Sequence, residues 1–158
     1  MKTLIKNGII YDGTLETPPY TGDLLIFNDR IQAVAPHIND VDAYVIDAGG
    51  RVISPGFIDI HRHADLAVFS DDFGSIELAQ GLTTVGMGVC GFSFAPYTQY
   101  SEGLYPYVLS THGPSADGAR YPTMASYLEA LRRARLPVNV STLQGLGAIR
   151  IAVKGYDP

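Results

Sequence analysis

Two histidines separated by one residue, His61 and His63, are the first candidates for chemistry in this chain. They end the hydrophobic segment 56–63, whose isoleucine and phenylalanine content is typical of a buried strand. In a strand, residues i and i+2 face the same side, so the two imidazoles would project together. Such a pair is a good half-site for Zn²⁺ or a similar ion. The flanking Asp59 and Asp65 could orient the imidazoles. The HxH pattern alone is weak evidence, and ordinary strand histidines are the alternative.

Cys90, the chain's one cysteine, is the next candidate ligand. It ends a second apolar run and lies between glycines that allow a close approach of backbone or ligand. A thiolate at the same edge as the histidines would be a strong ligand for zinc. The alternative is a buried, inert cysteine, because free cysteine is among the most buried residue types. The histidine pair one strand away favours the ligand. His37 and His112 are interpreted as solvated surface histidines.

Residues 1–54 are predicted to form a small β module of short strands. Asp12 and Gly13 give a turn signal, and Asn28 and Asp29 join two apolar runs as a hairpin tip. This region shows no helical period. The next part of the chain, residues 55–158, follows a different pattern.

Residues 55–158 predict alternating strands and helices. Strands are expected at 56–63, 82–91 and 138–145, with a short helix within 71–81 that ends at Gly81. A longer helix is expected within 121–137. Thr123 can cap this helix, and its apolar stripe consists of Met124, Tyr127, Leu128 and Leu131. Repeated βα order favours an α/β fold with a parallel sheet or barrel.

A long segment without a clear period, residues 92–122, interrupts this order. It follows the second strand, so it is expected at the carboxyl edge of the sheet, where α/β barrels carry their active sites. Four tyrosines of this segment could line a substrate mouth, although packing on a barrel rim is the favoured interpretation. They are Tyr97, Tyr100, Tyr105 and Tyr107.

The overall composition is that of an ordinary globular protein, with 46% hydrophobic and 17% charged residues. A net charge of −5 argues against attraction to nucleic acid or to an anionic membrane. The N-terminus does not resemble a signal peptide, and no segment approaches the roughly 20 apolar residues of a membrane span. The expected location is the cytoplasm.

Several segments together resemble the amidohydrolase superfamily. The β module with "KNGIIYDG" and "IDAGGRVISPGFIDIHRH" carries the general likeness. The segments "ELAQGLTTVGMGVCGFSFAP" and "NVSTLQGLGAIRIAVKG" are similar to the D-aminoacylase branch, the N-acyl-D-amino-acid deacylases. The resemblance spans almost the whole chain.

This resemblance implies a (β/α)₈ TIM barrel with a β-sandwich built from both chain ends. Residues 1–54 would be part of the sandwich, and residues 55–158 the first part of the barrel. It implies zinc-dependent hydrolysis of a linear amide bond in a small N-acyl-D-amino acid. One or two zinc ions are expected, with His61, His63 and Cys90 as ligands and Asp59 and Asp65 supporting them.

Two departures from the family pattern matter. Relatives often carry a histidine where this chain has Leu146, and the family's remaining metal ligands and proton-shuttle aspartate would lie beyond Pro158. The isolated chain is therefore expected to be inactive, with the remaining part of the same enzyme as its candidate partner. A cyclic amidase of the dihydroorotase or hydantoinase type is one alternative, although Cys90 argues against it. A non-catalytic fragment that needs a partner chain is the other.

Overall fold

The computed structural model of the protein describes residues 1–104 and 119–156. The chain divides into two compact units, Met1–Pro55 and Gly56–Pro158. Both β-sheets and α-helices are present, which confirms the predicted α/β class. None of the helices in the described ranges is both long and apolar enough to cross a membrane.

The first unit is a five-stranded sheet. Its strands are β1 (Lys2–Ile10), β2 (Tyr20–Phe27), β3 (Arg30–Ala35), β4 (Tyr44–Asp47) and β5 (Val52–Ile53). The order is β3-β2-β1-β4, and β5 also pairs with β1. β2 pairs antiparallel with both β1 and β3, whereas β4 and β5 pair parallel to β1. The predicted hairpin tip is confirmed, and Asn28 has the left-handed backbone (φ 56°) that such a tight turn requires.

The second unit contains a parallel sheet with the order β6-β7-β8. Its elements are β6 (Phe57–Asp59), α1 (Ser75–Ala79), β7 (Leu82–Met87), α2 (Met124–Arg133), β8 (Asn139–Thr142) and α3 (Leu146–Lys154). Two 3₁₀ turns, Ala67–Phe69 and Gln99–Leu104, lie between them. The predicted alternation and parallel pairing are confirmed. Within the described residues this sheet is open, and no closed barrel is formed.

The predicted strands were too long, and α3 was not predicted. Pairing stops where the backbone turns to form the loops at the carboxyl edge, a tertiary effect that hydrophobic patterning does not show. Residues 60–63, 88–91 and 143–145 therefore lie in loops.

Helix α2 forms as its sequence predicts. The Thr123 hydroxyl accepts the backbone N–H of Ser126 at 3.1 Å, which confirms the predicted cap. Tyr127 and Leu131 are buried in the core of this unit. The core also contains Ala64, Leu66, Val68, Met87, Phe94 and Ala95. Because residues 64–68 and 94–95 belong to the loops that follow β6 and β7, this core anchors the loops that carry the candidate site.

Candidate metal centre

The structure brings the three predicted ligands together. One ligand atom from each of His61, His63 and Cys90 lies within 4.8 Å of the other two. The Nε2 atom of His61 is 3.0 Å from the Sγ atom of Cys90. The two imidazole rings meet edge to face, with centroids 5.7 Å apart and an interplanar angle of 73°. Two nitrogen ligands and one sulfur ligand therefore converge on one small volume.

Parallel pairing of β6 and β7 places the histidines and the cysteine at one edge of the sheet. Both strands end there, and the Arg62 N–H still donates to the Gly86 carbonyl at 2.9 Å beyond the last paired residue, Asp59. The prediction that the histidine pair lies within the strand was wrong. His61 and His63 lie in the turn that follows β6, and this turn is held against β7.

The prediction that Cys90 ends a strand was also wrong. Strand β7 ends at Met87, and Cys90 has a left-handed backbone with φ 56° between the positive-φ residues Gly88 and Gly91. A Cβ atom at Gly88 would lie 2.1 Å from the Leu143 carbonyl oxygen, so only glycine allows this close approach. The turn leaves Cys90 exposed, which contradicts the alternative of a buried cysteine.

A buried serine fixes the loop that carries Cys90. The Ser93 hydroxyl accepts hydrogen bonds from the Gly145 N–H at 3.1 Å and from Gln144 Nε2 at 2.8 Å, and donates to the Ala95 carbonyl at 2.5 Å. Gln144 also donates to the Ala95 carbonyl at 2.6 Å. The loops after β7 and β8 are therefore joined at the site edge. No local sequence pattern indicates this role, because the hydrogen-bond partners of Ser93 lie 51 and 52 positions later in the chain.

Asp59 and Asp65 differ in their surroundings. An Asp59 carboxylate oxygen accepts the backbone N–H of His61 at 3.1 Å, so it fixes the turn rather than an imidazole nitrogen. Asp65 is fully buried. Burial raises the pKa of its carboxyl to about 6, although the backbone N–H groups of Asp65 and Gly88 oppose the shift.

The remaining candidates are distributed as follows. His37 lies in the first unit, exposed and 3.6 Å from the Asp23 carboxylate. The Tyr97 hydroxyl accepts a hydrogen bond from Arg120 at 2.8 Å, whereas Tyr100 is exposed. Leu146 begins α3 and is exposed. His112, Tyr105 and Tyr107 lie outside the described residues.

The donor set fits a zinc ion. Zinc prefers imidazole nitrogen and thiolate sulfur in tetrahedral sites, with bonds of about 2.0–2.3 Å. Tetrahedral angles and those bond lengths place neighbouring ligand atoms about 3.4–3.6 Å apart. The observed donors, all within 4.8 Å and one pair at 3.0 Å, need only small side-chain adjustments to meet this requirement. A soft sulfur ligand argues against Mg²⁺ or Ca²⁺, which prefer oxygen.

Comparison with known sequences gives close matches over most of the chain. A D-aminoacylase and an N-acyl-D-aspartate deacylase, both from Alcaligenes xylosoxydans xylosoxydans, are 35% and 36% identical over 151 and 136 residues. These alignments cover 95% and 86% of the chain but only 30% and 26% of the relatives. The chain thus spans less than a third of these curated relatives. No protein-family model matches it.

Solved structures give the same family. A D-aminoacylase that defines a subset of amidohydrolases superposes with a TM-score of 0.81 at 33% identity, over 96% of this chain and 31% of its own. A D-aminoacylase studied for its binuclear metal centre gives 0.80 at 35% identity, with the same coverage. N-acyl-D-glutamate deacylase from Bordetella bronchiseptica, complexed with zinc and a phosphonate inhibitor, gives 0.74 at 30% identity, over 99% and 31%. Over almost its whole length the chain is therefore similar to the D-aminoacylase branch of the amidohydrolases.

Proposed function

We propose that this protein is a zinc-dependent hydrolase of N-acyl-D-amino acids, and that His61, His63 and Cys90 hold a catalytic zinc ion. The observation that carries the proposal is the convergence of two imidazoles and one thiol within 4.8 Å at the edge of a parallel sheet. Similarity to D-aminoacylases over most of the chain supplies the reaction class. The substrate is a small molecule with a linear amide bond, and the products are a carboxylic acid and a D-amino acid.

Each residue of the site has a defined part in this proposal. His61 and Cys90 present their donor atoms to one another, and His63 adds a second imidazole at the same edge. A zinc ion held there supplies Lewis-acid chemistry, lowering the pKa of a water molecule and polarising the amide carbonyl. Asp59 accepts the backbone N–H of His61 and so holds the turn in place, and Asp65 is buried two residues after His63. One or two ions are consistent with relatives that carry zinc or a binuclear centre.

The proposed architecture places this site where barrel enzymes carry theirs. We assign residues 55–158 to the first part of a (β/α)₈ barrel and residues 1–54 to part of a β-sandwich. The parallel order β6-β7-β8 supports the barrel assignment. His61, His63 and Cys90 follow the carboxyl ends of β6 and β7, and this is the end of the strands at which barrel enzymes carry their active sites.

The experiment uses the protein expressed from its intact gene, loaded with zinc. Hydrolysis of matched N-acetyl-D- and N-acetyl-L-amino acids is followed by release of the free amino acid, with a hydantoin as the cyclic substrate. Hydrolysis of the D-enantiomer that is lost on chelation and restored by zinc would support the proposal. Cys90→Ser should reduce it and His37→Ala should not. Hydrolysis of the hydantoin alone, or of the L-enantiomer alone, would contradict it.

A further inference from the structure

The residue between the two histidines takes part in an ion pair that ties the metal-binding turn to a helix. Arg62 faces away from the site, and its Nη2 donates to a Glu77 carboxylate oxygen at 2.6 Å. Glu77 lies in α1 and is only 5% exposed, whereas the Arg62 side chain is 30% exposed. A carboxylate this deeply buried requires a charged partner, and Arg62 supplies it.

Each end of the ion pair is held by further contacts. The second Glu77 carboxylate oxygen accepts the Gly74 N–H at 2.9 Å, at the start of α1. Arg62 Nη1 lies 3.5 Å from Asp59, whose other carboxylate oxygen accepts the His61 N–H. The Arg62 backbone N–H is bound to β7 through Gly86. Arg62 is therefore fixed by its backbone to the sheet and by its side chain to α1.

We propose that Arg62 and Glu77 are positioning residues that preset the His61–His63 half-site for metal binding. His61 and His63 are each one peptide bond from Arg62, so its backbone dihedrals set the direction of both Cβ atoms. A fixed turn holds the imidazoles in place before the ion arrives, which lowers the entropy cost of binding. The inference rests on the proposed zinc site. Lysine should not replace Arg62 in this role, because it lacks the planar guanidinium group that reaches two carboxylates.

A simpler interpretation is that the ion pair only stabilises α1. The two interpretations differ in the metal affinity of a protein that remains folded. If the pair only adds stability, any equally destabilising change elsewhere in the unit would have the same effect. If it presets the half-site, metal binding weakens when the pair is broken, even where circular dichroism shows a fully folded protein.

The test measures Co²⁺ affinity by competition with a chromophoric chelator, together with the Co²⁺ d–d spectrum, which reports ligand geometry. The variants are Arg62→Lys, Glu77→Gln and the double variant. Arg133→Met is the matched control, because it removes an exposed ion pair with Glu129 on α2. Val138→Ala, which changes a buried residue of the same unit outside the core that anchors the site loops, controls for lost stability.

We expect the Arg62 and Glu77 variants to bind Co²⁺ about 10–100-fold more weakly, the usual effect of losing a residue that supports a ligand. The double variant should be no weaker than the worse single variant, because the two residues act as one unit. The two controls should bind like the wild type. Wild-type-like affinity and spectra in folded Glu77→Gln and Arg62→Lys would overturn this inference alone. Failure of the wild-type protein to bind Co²⁺ through Cys90 would overturn the proposed zinc site as well.

Discussion

Asp65 should make the metal-free protein less stable as the pH rises through the weakly acidic range. Its pKa is raised from 3.8 to about 6, because burial disfavours the charged carboxylate. Below 3.8, the carboxyl is protonated in both the folded and the unfolded chain. Between the two pKa values the unfolded chain releases this proton and the folded chain keeps it. The stability contributed by the neutral form is thus fully present below 3.8 and is lost as the pH rises through about 6.

The size of the effect follows from the shift. A difference of about two pKa units corresponds to about 3 kcal/mol. This is a large part of the 5–15 kcal/mol that typically holds a domain folded. Asp65→Asn keeps the size and an acceptor oxygen of the side chain but cannot ionise. The variant should therefore lack this loss of stability while keeping the pH dependence of every other group.

The assay is urea unfolding in the presence of a chelator, between about pH 4 and about pH 8. Asp71→Asn is the matched control, because Asp71 is exposed in the same unit. Because part of the effect is already lost at pH 4, the free energy of unfolding of the wild type should fall by about 2.5 kcal/mol more than that of Asp65→Asn over this range. The reasoning would be refuted if the free energies of unfolding of the wild type and of Asp65→Asn changed with pH in parallel, to within about 1 kcal/mol.

Three further substitutions test the packing that positions the site. Gly88→Ala should destabilise the protein strongly, because its Cβ atom would lie 2.1 Å from the Leu143 carbonyl oxygen. Its control is Gly81→Ala, which has a similar φ and contacts of 3.4 Å or more, and which should cost only backbone strain of about 1–3 kcal/mol. Equal losses of unfolding free energy for the two variants in urea would contradict this. Tyr127→Phe should cost about 1–3 kcal/mol in the same assay, because it leaves a buried backbone carbonyl without its donor at 2.8 Å; no loss would show that this hydrogen bond is not needed. Thr123→Ala should lower thermal stability by about 1 kcal/mol, and a matching Thr123→Ser should restore most of it.

The convergence of the three candidate ligands could be predicted from the sequence, because parallel strand pairing follows from the order of strands and helices alone. Two apolar runs separated by a helix predict parallel strands, and their following residues must meet at one edge. His61, His63 and Cys90 were therefore predicted together, although none of them lies in a strand. The predicted Thr123 cap and the apolar stripe of α2 depend only on local spacing, and both are confirmed.

The parts that could not be predicted depend on contacts between distant segments. Cys90 has a left-handed backbone in a turn whose Gly88 meets the Leu143 carbonyl, 55 positions later in the sequence, and no local pattern shows that contact. The role of Ser93 depends on Gln144 and Gly145 in the same way. Helix α3 did have a local signal, since Gly145 and Gly155 flank an apolar run that buries Ala148 and Ala152.

The most direct measurement is the absorption spectrum of the Co²⁺-substituted protein, with metal content determined on the same sample. If His61, His63 and Cys90 form the metal site, the wild type binds Co²⁺ and shows a sulfur-to-cobalt charge-transfer band. That band disappears in Cys90→Ser, weakens in His61→Ala, and is unchanged in His37→Ala. A wild-type protein that binds Co²⁺ without a charge-transfer band, or a Cys90→Ser variant that keeps it, would contradict the proposed metal centre.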